Sequence, residues 1–367
     1  MRRSGACLAV LAFAAPLAVA SASAPRSLAP TASMTVPRAV HTATSLRGGD
    51  VLVVGGCERR GCELGGDSAV VAEVYDRSAR RFVPTGRLLE WRDDHSAVRL
   101  RDGRVFVAGG WGVGGVLATT ELYESGRRSF SRGPVMHSPR AGATATVLRD
   151  GRVLLAGGFT DNEPTISRAE VFVPKTDVLR EVGHMHRPRG AHSAALLRDG
   201  RVLLVGGLSR GRVTATTELF DPRTDRFVRG PRMRTPRYKA AAVTLRDGRV
   251  LVIGGSADAD GRRVYETTEL YDPRRGAFLP GPRLRQARYK IAGSVVVLAD
   301  GDVLVAGGAA TAEALDVSAM RFDPVGDLGA TRLFLTATRL GGREALLLGG
   351  YDLAITPTAR AWVYRQR

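Results

Sequence analysis

Val202-Leu203-Leu204-Val205-Gly206-Gly207 is an apolar run closing on paired glycines, and the chain carries it in seven versions. The others are VLVVGG (51–56), VFVAGG (105–110), VLLAGG (153–158), VLVIGG (250–255), VLVAGG (303–308) and ALLLGG (345–350). Working outward from 202–207, HSAALL (192–197) and the turn Arg198-Asp199-Gly200 precede it. TTELFD (216–221), PRTD (222–225) and RFVRG (226–230) follow a variable loop. Asp-Gly between apolar runs marks a tight hairpin, because the turn needs positive φ. Each unit of about 49 residues therefore reads as four short strands. The second strand is apolar at consecutive positions, so both of its faces must be covered. One four-stranded sheet cannot cover both, so the units pack against one another in a ring. The paired glycines suit close backbone approach near the axis.

The spacing resembles the kelch repeat, in which a Gly-Gly is followed by a tyrosine and, seven residues on, a tryptophan. Tyr75, Tyr123, Phe172, Phe220 and Tyr271 take the first aromatic position; Phe82, Phe130, Leu179, Phe227 and Phe278 replace the tryptophan. The resemblance implies an all-β, seven-bladed kelch-type β-propeller over residues 25–367, similar in its blades to the central domain of galactose oxidase. The seventh unit has three strands, and Ser27-Leu28-Ala29-Pro30 resembles a blade exit, so residues 26–31 are predicted to complete the last blade. The sixth unit is compressed and predicts a truncated or irregular fourth strand.

Residues 1–24 read as a cleaved secretory signal: Arg2 and Arg3, an apolar run from Ala6 to Ala20, then small residues. The expected location is secreted or periplasmic, without a membrane span. Loss of Cys7 would leave Cys57 and Cys62, which read more simply as a disulfide than as a metal site. The net charge is +18, and with only Lys175, Lys239 and Lys290 as lysines, 51 of the 54 basic residues are arginine. A basic chain invites a nucleic-acid reading, but export and the even spread of arginine through the repeat argue against it. A coding bias toward arginine or attraction to acidic polymers accounts for the charge.

An arginine stands 17 residues before the first glycine in six units (Arg38, Arg92, Arg140, Arg189, Arg237, Arg332) and 19 before it in the remaining one, Arg288. These are predicted to ring the channel mouth on the face that carries the loops after the second strands. Glu73, Glu121, Glu170, Glu218 and Glu269 are placed to pair with them. Met320 and Trp362 take the glutamate position in units six and seven, which would leave Arg288 and Arg332 for an anionic ligand. Arg288, Arg332, Arg237, Tyr238, Lys239, Tyr289 and Lys290 are thus the candidate ligand-binding residues, and Arg38, Arg92, Arg140 and Arg189 a structural ring. His41, His95 and His192, each three residues after a ring arginine, read as packing residues; Trp91 and Trp111 read as local packing rather than sugar platforms.

The leading functional reading is a non-enzymatic, exported scaffold, a monomer without cofactor or catalytic residues. It would bind an extracellular or envelope protein, or an acidic polysaccharide, on its loop face. An enzyme acting on an acidic sugar, by analogy with exported kelch proteins that act on sialic acid, is the alternative, with Glu90, Asp93 or Asp94 as base. Galactose-oxidase-like copper chemistry fits less well. His192 lies in a run resembling the histidine-bearing strand of that family, but Ala191 stands where a tyrosine is needed. Neither cysteine occupies a first-strand position.

Overall fold

The computed structural model describes residues 26–62 and 70–366. The expected signal segment and the middle of the first loop lie outside them. Seven four-stranded antiparallel sheets form the blades. The first strands, nearest the axis, are Thr42–Ser45, Ser96–Arg99, Thr144–Val147, Ser193–Leu196, Ala241–Thr244, Val295–Val297 and Thr336–Gly341. The apolar second strands, such as Val153–Ala156 and Val202–Val205, are buried at every position. Hydrophobic clusters span neighbouring sheets, as where Val205 and Leu219 of blade four pack with Val252 and Tyr271 of blade five. The both-faces-apolar pattern has this cause: each middle strand is covered by a neighbouring blade on each side.

The glycine pair is explained by one contact that recurs between every pair of blades. The N–H of the second glycine donates to the carbonyl of the next blade's repeat arginine, from Gly56 to Arg92 at 3.0 Å through to Gly350 and Arg38 at 2.8 Å, which closes the circle. Gly55, Gly109, Gly157, Gly206, Gly254 and Gly349 have φ between 59° and 64°, and a Cβ on any of them would strike that same carbonyl. Conformation and close approach therefore both demand glycine.

The circle is completed as the repeat comparison predicts. Arg26–Pro30 pairs antiparallel with Ala361–Gln366, from Arg26↔Gln366 to Pro30↔Trp362, and forms the outer strand of blade seven. Arg26 also reaches Asp302 of blade six at 2.7 Å. The aromatic pairs face each other in register, for example Tyr75↔Phe82 and Phe220↔Phe227, with both pairs of ring centroids 5.0 Å apart.

Blade six corrects the sequence reading. Its third strand is Thr311–Asp316, only two residues after Gly307-Gly308, so the compression falls in the loop before that strand and not in the fourth strand. Its fourth strand, Arg321–Asp327, is full length, with a register shift at Ala312/Glu313. Met320 stands in the turn between them, and Glu313, opposite Val305, holds the repeat glutamate position. The clue was present: AEALD (312–316) ends in the same aspartate as TELFD and TELYD.

Candidate functional site

The repeat arginines come first, because their surroundings decide what they can do. Arg189 is fully buried. It donates to the carbonyls of Gly206 (2.8 Å) and Thr216 (3.0 Å) and meets Glu218 at 3.0 Å. Glu218 is buried too and accepts backbone N–H groups from His186 (2.7 Å) and Arg187 (3.1 Å), which lie on the chain leading into the blade. The motif pins lead-in, second strand and third strand together. It recurs in six blades, with Arg–Glu separations from 2.6 Å (Arg140–Glu170) to 3.5 Å (Arg38–Glu73). Arg288 belongs to this set, 2.7 Å from Glu313, which corrects the expectation that it lacks a carboxylate. Nor do the arginines ring the channel: burial removes them from it, and Arg237 is held by Glu269, Gly254 and Thr267.

Blade seven alone departs, as the sequence indicates. Trp362, opposite Leu347, occupies the glutamate register, and Arg332 has no ion pair or side-chain hydrogen bond among the described residues. Burial and the neighbouring Arg360 lower the Arg332 pKa, while Asp352 opposes them.

The axis is lined instead by the residue two places after each arginine: Val40, Asp94, Gly142, Ala191, Lys239, Lys290 and Phe334. All seven have positive φ. Their N–H groups donate to the carbonyl of the preceding blade's equivalent in six steps, from Asp94 to Val40 (3.3 Å) round to Phe334 and Lys290 (3.1 Å). The side chains face a cavity of about 200 Å³. The loops share this face, because in six of the seven blades the residue after the arginine bridges to the residue after the glycine pair, as Tyr238 does with Ser256 and Leu333 with Tyr351.

Chemistry is concentrated on one side of that mouth. Lys239 Nζ lies 5.1 Å from the Tyr238 ring and 5.0 Å from Phe334. Lys290 Nζ lies 5.1 Å from Tyr289, 5.4 Å from Phe334 and 5.2 Å from Tyr351, and donates to Tyr351 Oη at 2.8 Å. Burial and the charge of Lys239 bring Lys290 down to about 8; burial also lowers Lys239, against the attraction of Asp94. Burial raises Asp94, and burial together with Asp94 pushes Asp93 up to about 7. The structure thus brings together four of the candidates (Tyr238, Lys239, Tyr289, Lys290) and separates them from Arg237 and Arg288. Phe334, Tyr351 and the placement of Asp94 opposite Lys239 were missed. The shared offset from the repeat arginine is the signal that would have found Asp94 and Phe334.

The histidines hold blades together. His41 Nε2 meets Thr336 (2.9 Å), His95 Nε2 meets Thr42 (2.8 Å) and His192 Nε2 meets Thr144 (3.0 Å), each on the preceding blade. Where the next blade has Ala143 or Ala240 in place of histidine, a serine replaces the threonine and donates to that residue's carbonyl. Cys57 and Cys62 form a disulfide in the first loop.

Comparison with known proteins agrees with this geometry. The Kelch motif family model matches residues 189–234, the blade-four repeat. With seven four-stranded sheets closed in a ring, the chain is a β-propeller that carries a Kelch motif in its fourth blade. No curated protein matches the sequence. Among solved structures it is similar to a novel fungal alcohol oxidase with catalytic diversity among the AA5 family, in complex with copper. That likeness has 16% identity and a TM-score of 0.73, and covers 92% of this chain and 76% of the other. It concerns the fold. The residues here do not fit copper: the three channel-side histidines each commit Nε2 to a threonine, and Cys57 and Cys62 are joined.

Proposed function

We propose that this kelch propeller is a binding scaffold working outside the cytoplasm, and that the axial mouth of its loop face takes an anionic group of a protein or acidic polysaccharide. The observation that carries the reading is the convergence of Lys239, Lys290 and Phe334 on one cavity, with the rings of Tyr238, Tyr289 and Tyr351 beside the two ammoniums. Two ammoniums supply attraction, Phe334 supplies rigid contact area, and the tyrosine rings hold the ammoniums in place. The buried arginines take no part, since their charge is spent on Glu269, Glu313 and their equivalents. Arg332 stands apart from that set in lacking an ion pair among the described residues, but it too is buried and does not line the cavity. The disulfide supports an oxidising compartment, in keeping with a cleaved signal at residues 1–24. No helix among the described residues is long and apolar enough to cross a membrane.

The test is retention of the purified chain on an acidic polysaccharide matrix and its decline with salt. Passage without retention at low salt would refute the anionic partner. A second reading, an enzyme acting on an acidic sugar, draws on Asp93, whose carboxyl near 7 lies in the range of a general base. Interconversion of sialic acid anomers faster than in buffer would favour it over the scaffold.

A further inference from the structure

In a protein that uses arginine at 51 of 54 basic positions, two of its three lysines stand in neighbouring blades at the same axial position. Wherever this fold needs a fixed cationic donor it uses a guanidinium, as in the six Arg–Glu motifs. Lysine differs in one chemical respect: its ammonium gives up a proton under modest perturbation and becomes a nucleophile, whereas arginine stays charged. The surroundings of Lys290 favour that state. Its Nζ and that of Lys239 lie over the same Phe334 ring, at 5.4 and 5.0 Å, so two cations share one partner and repel. Asp94 offsets the charge of Lys239, while the groups acting on Lys290 include no carboxylate. Tyr351 Oη holds Nζ at 2.8 Å, and Lys290 lines a cavity large enough for a small molecule.

We propose that Lys290 is a nucleophilic amine that captures a small aldehyde or ketone in the axial cavity as an imine. The Nζ lone pair adds to the carbonyl carbon, and a proton moves from nitrogen to oxygen. A proton from solvent then goes to the new hydroxyl, which leaves as water while the C=N bond forms. The remaining nitrogen proton is lost to solvent. One water is released, and no oxidant or reductant is consumed. The inference rests on the reading that the axial mouth accepts a ligand, but it requires covalent chemistry that a scaffold does not.

Pentane-2,4-dione is a suitable probe, because its adduct with a lysine amine is a conjugated enaminone that absorbs in the near ultraviolet and needs no reducing agent. Exposed Lys175 serves as the internal reference in the same chain. With Lys290 lowered from 10.5 to about 8, its neutral fraction at neutral pH exceeds that of an ordinary lysine by about two orders of magnitude. Peptide mapping should find Lys290 labelled at least about tenfold faster than Lys175. Lys290→Arg should abolish the fast absorbance change, and Lys239→Met should move its pH profile upward by removing the repelling charge. Equal labelling of Lys175 and Lys290, or an unmoved profile in Lys239→Met, would overturn the proposal. Polysaccharide retention of the unlabelled protein is read separately. Retention without preferential labelling removes the imine and leaves the scaffold, and labelling without retention does the reverse.

Discussion

Replacing Glu218 by glutamine probes the arginine motif where its geometry is most complete. The substitution keeps the shape but leaves Arg189, fully buried, without its counter-ion, while two backbone N–H groups lose a charged acceptor. An uncompensated buried charge costs about 3–5 kcal/mol. Arg189→Met should cost a similar amount, because Glu218 is stranded and the carbonyls of Gly206 and Thr216 lose their donor. The double variant should fall short of the sum of the two by about 1–3 kcal/mol, as contacting partners do. Blade seven provides the internal control. Arg332→Met removes a guanidinium that has no ion-paired carboxylate among the described residues and on which the repulsion of Arg360 opposes the attraction of Asp352, so it should change stability by less than about 1 kcal/mol. Urea unfolding followed by far-ultraviolet circular dichroism measures all four proteins. The reasoning is refuted if Glu218→Gln and Arg332→Met lose the same amount, or if the double variant is simply additive.

Other outcomes follow from the same contacts. Burial holds His41 and His95 at about 3, below the ordinary 6.5, so the folded state binds fewer protons than the unfolded one. Their contribution is complete above pH 6.5 and is lost as pH falls toward 3, at up to about 1.4 kcal/mol per pH unit for each. Asp93, raised to about 7, acts oppositely: its contribution is full below the usual carboxylate range and is lost as pH rises through 7. A urea series across pH should show a steep acid limb that flattens in a His41→Gln/His95→Gln variant. Removing residues up to Ala32 should expose the edge of Ala361–Gln366 and lower the melting temperature sharply, with aggregation visible by light scattering. Cys57→Ser/Cys62→Ser should cost about 2 kcal/mol in chemical denaturation, the loop-closure value for so short a ring.

The seven units, the hairpin turns and the strand that closes the ring were all legible in the sequence, because each is dictated by local chemistry repeated many times. Asp-Gly turns require positive φ, an apolar strand requires cover, and a missing fourth strand requires a donor. Blade six was misread because a shortened loop removes the register that alignment depends on, so Glu313 was passed over for Met320. The site was half legible. Tyr238, Lys239, Tyr289 and Lys290 stood out as departures from the repeat, yet the arginines beside them were credited with access they lack. Sequence spacing places side chains on the same segment without saying that the backbone at Lys239 turns to positive φ and sends one residue to the axis while Arg237 stays in the blade.

The central claim is that charge at the axial mouth, and not charge in general, holds the partner. It is tested by comparing two variants of equal net charge on an acidic polysaccharide column: Lys239→Met/Lys290→Met, and Arg210→Met/Arg212→Met on an exposed loop of the same face. The account predicts that the lysine variant elutes at clearly lower salt than the arginine variant. Coincident elution of the two would contradict it.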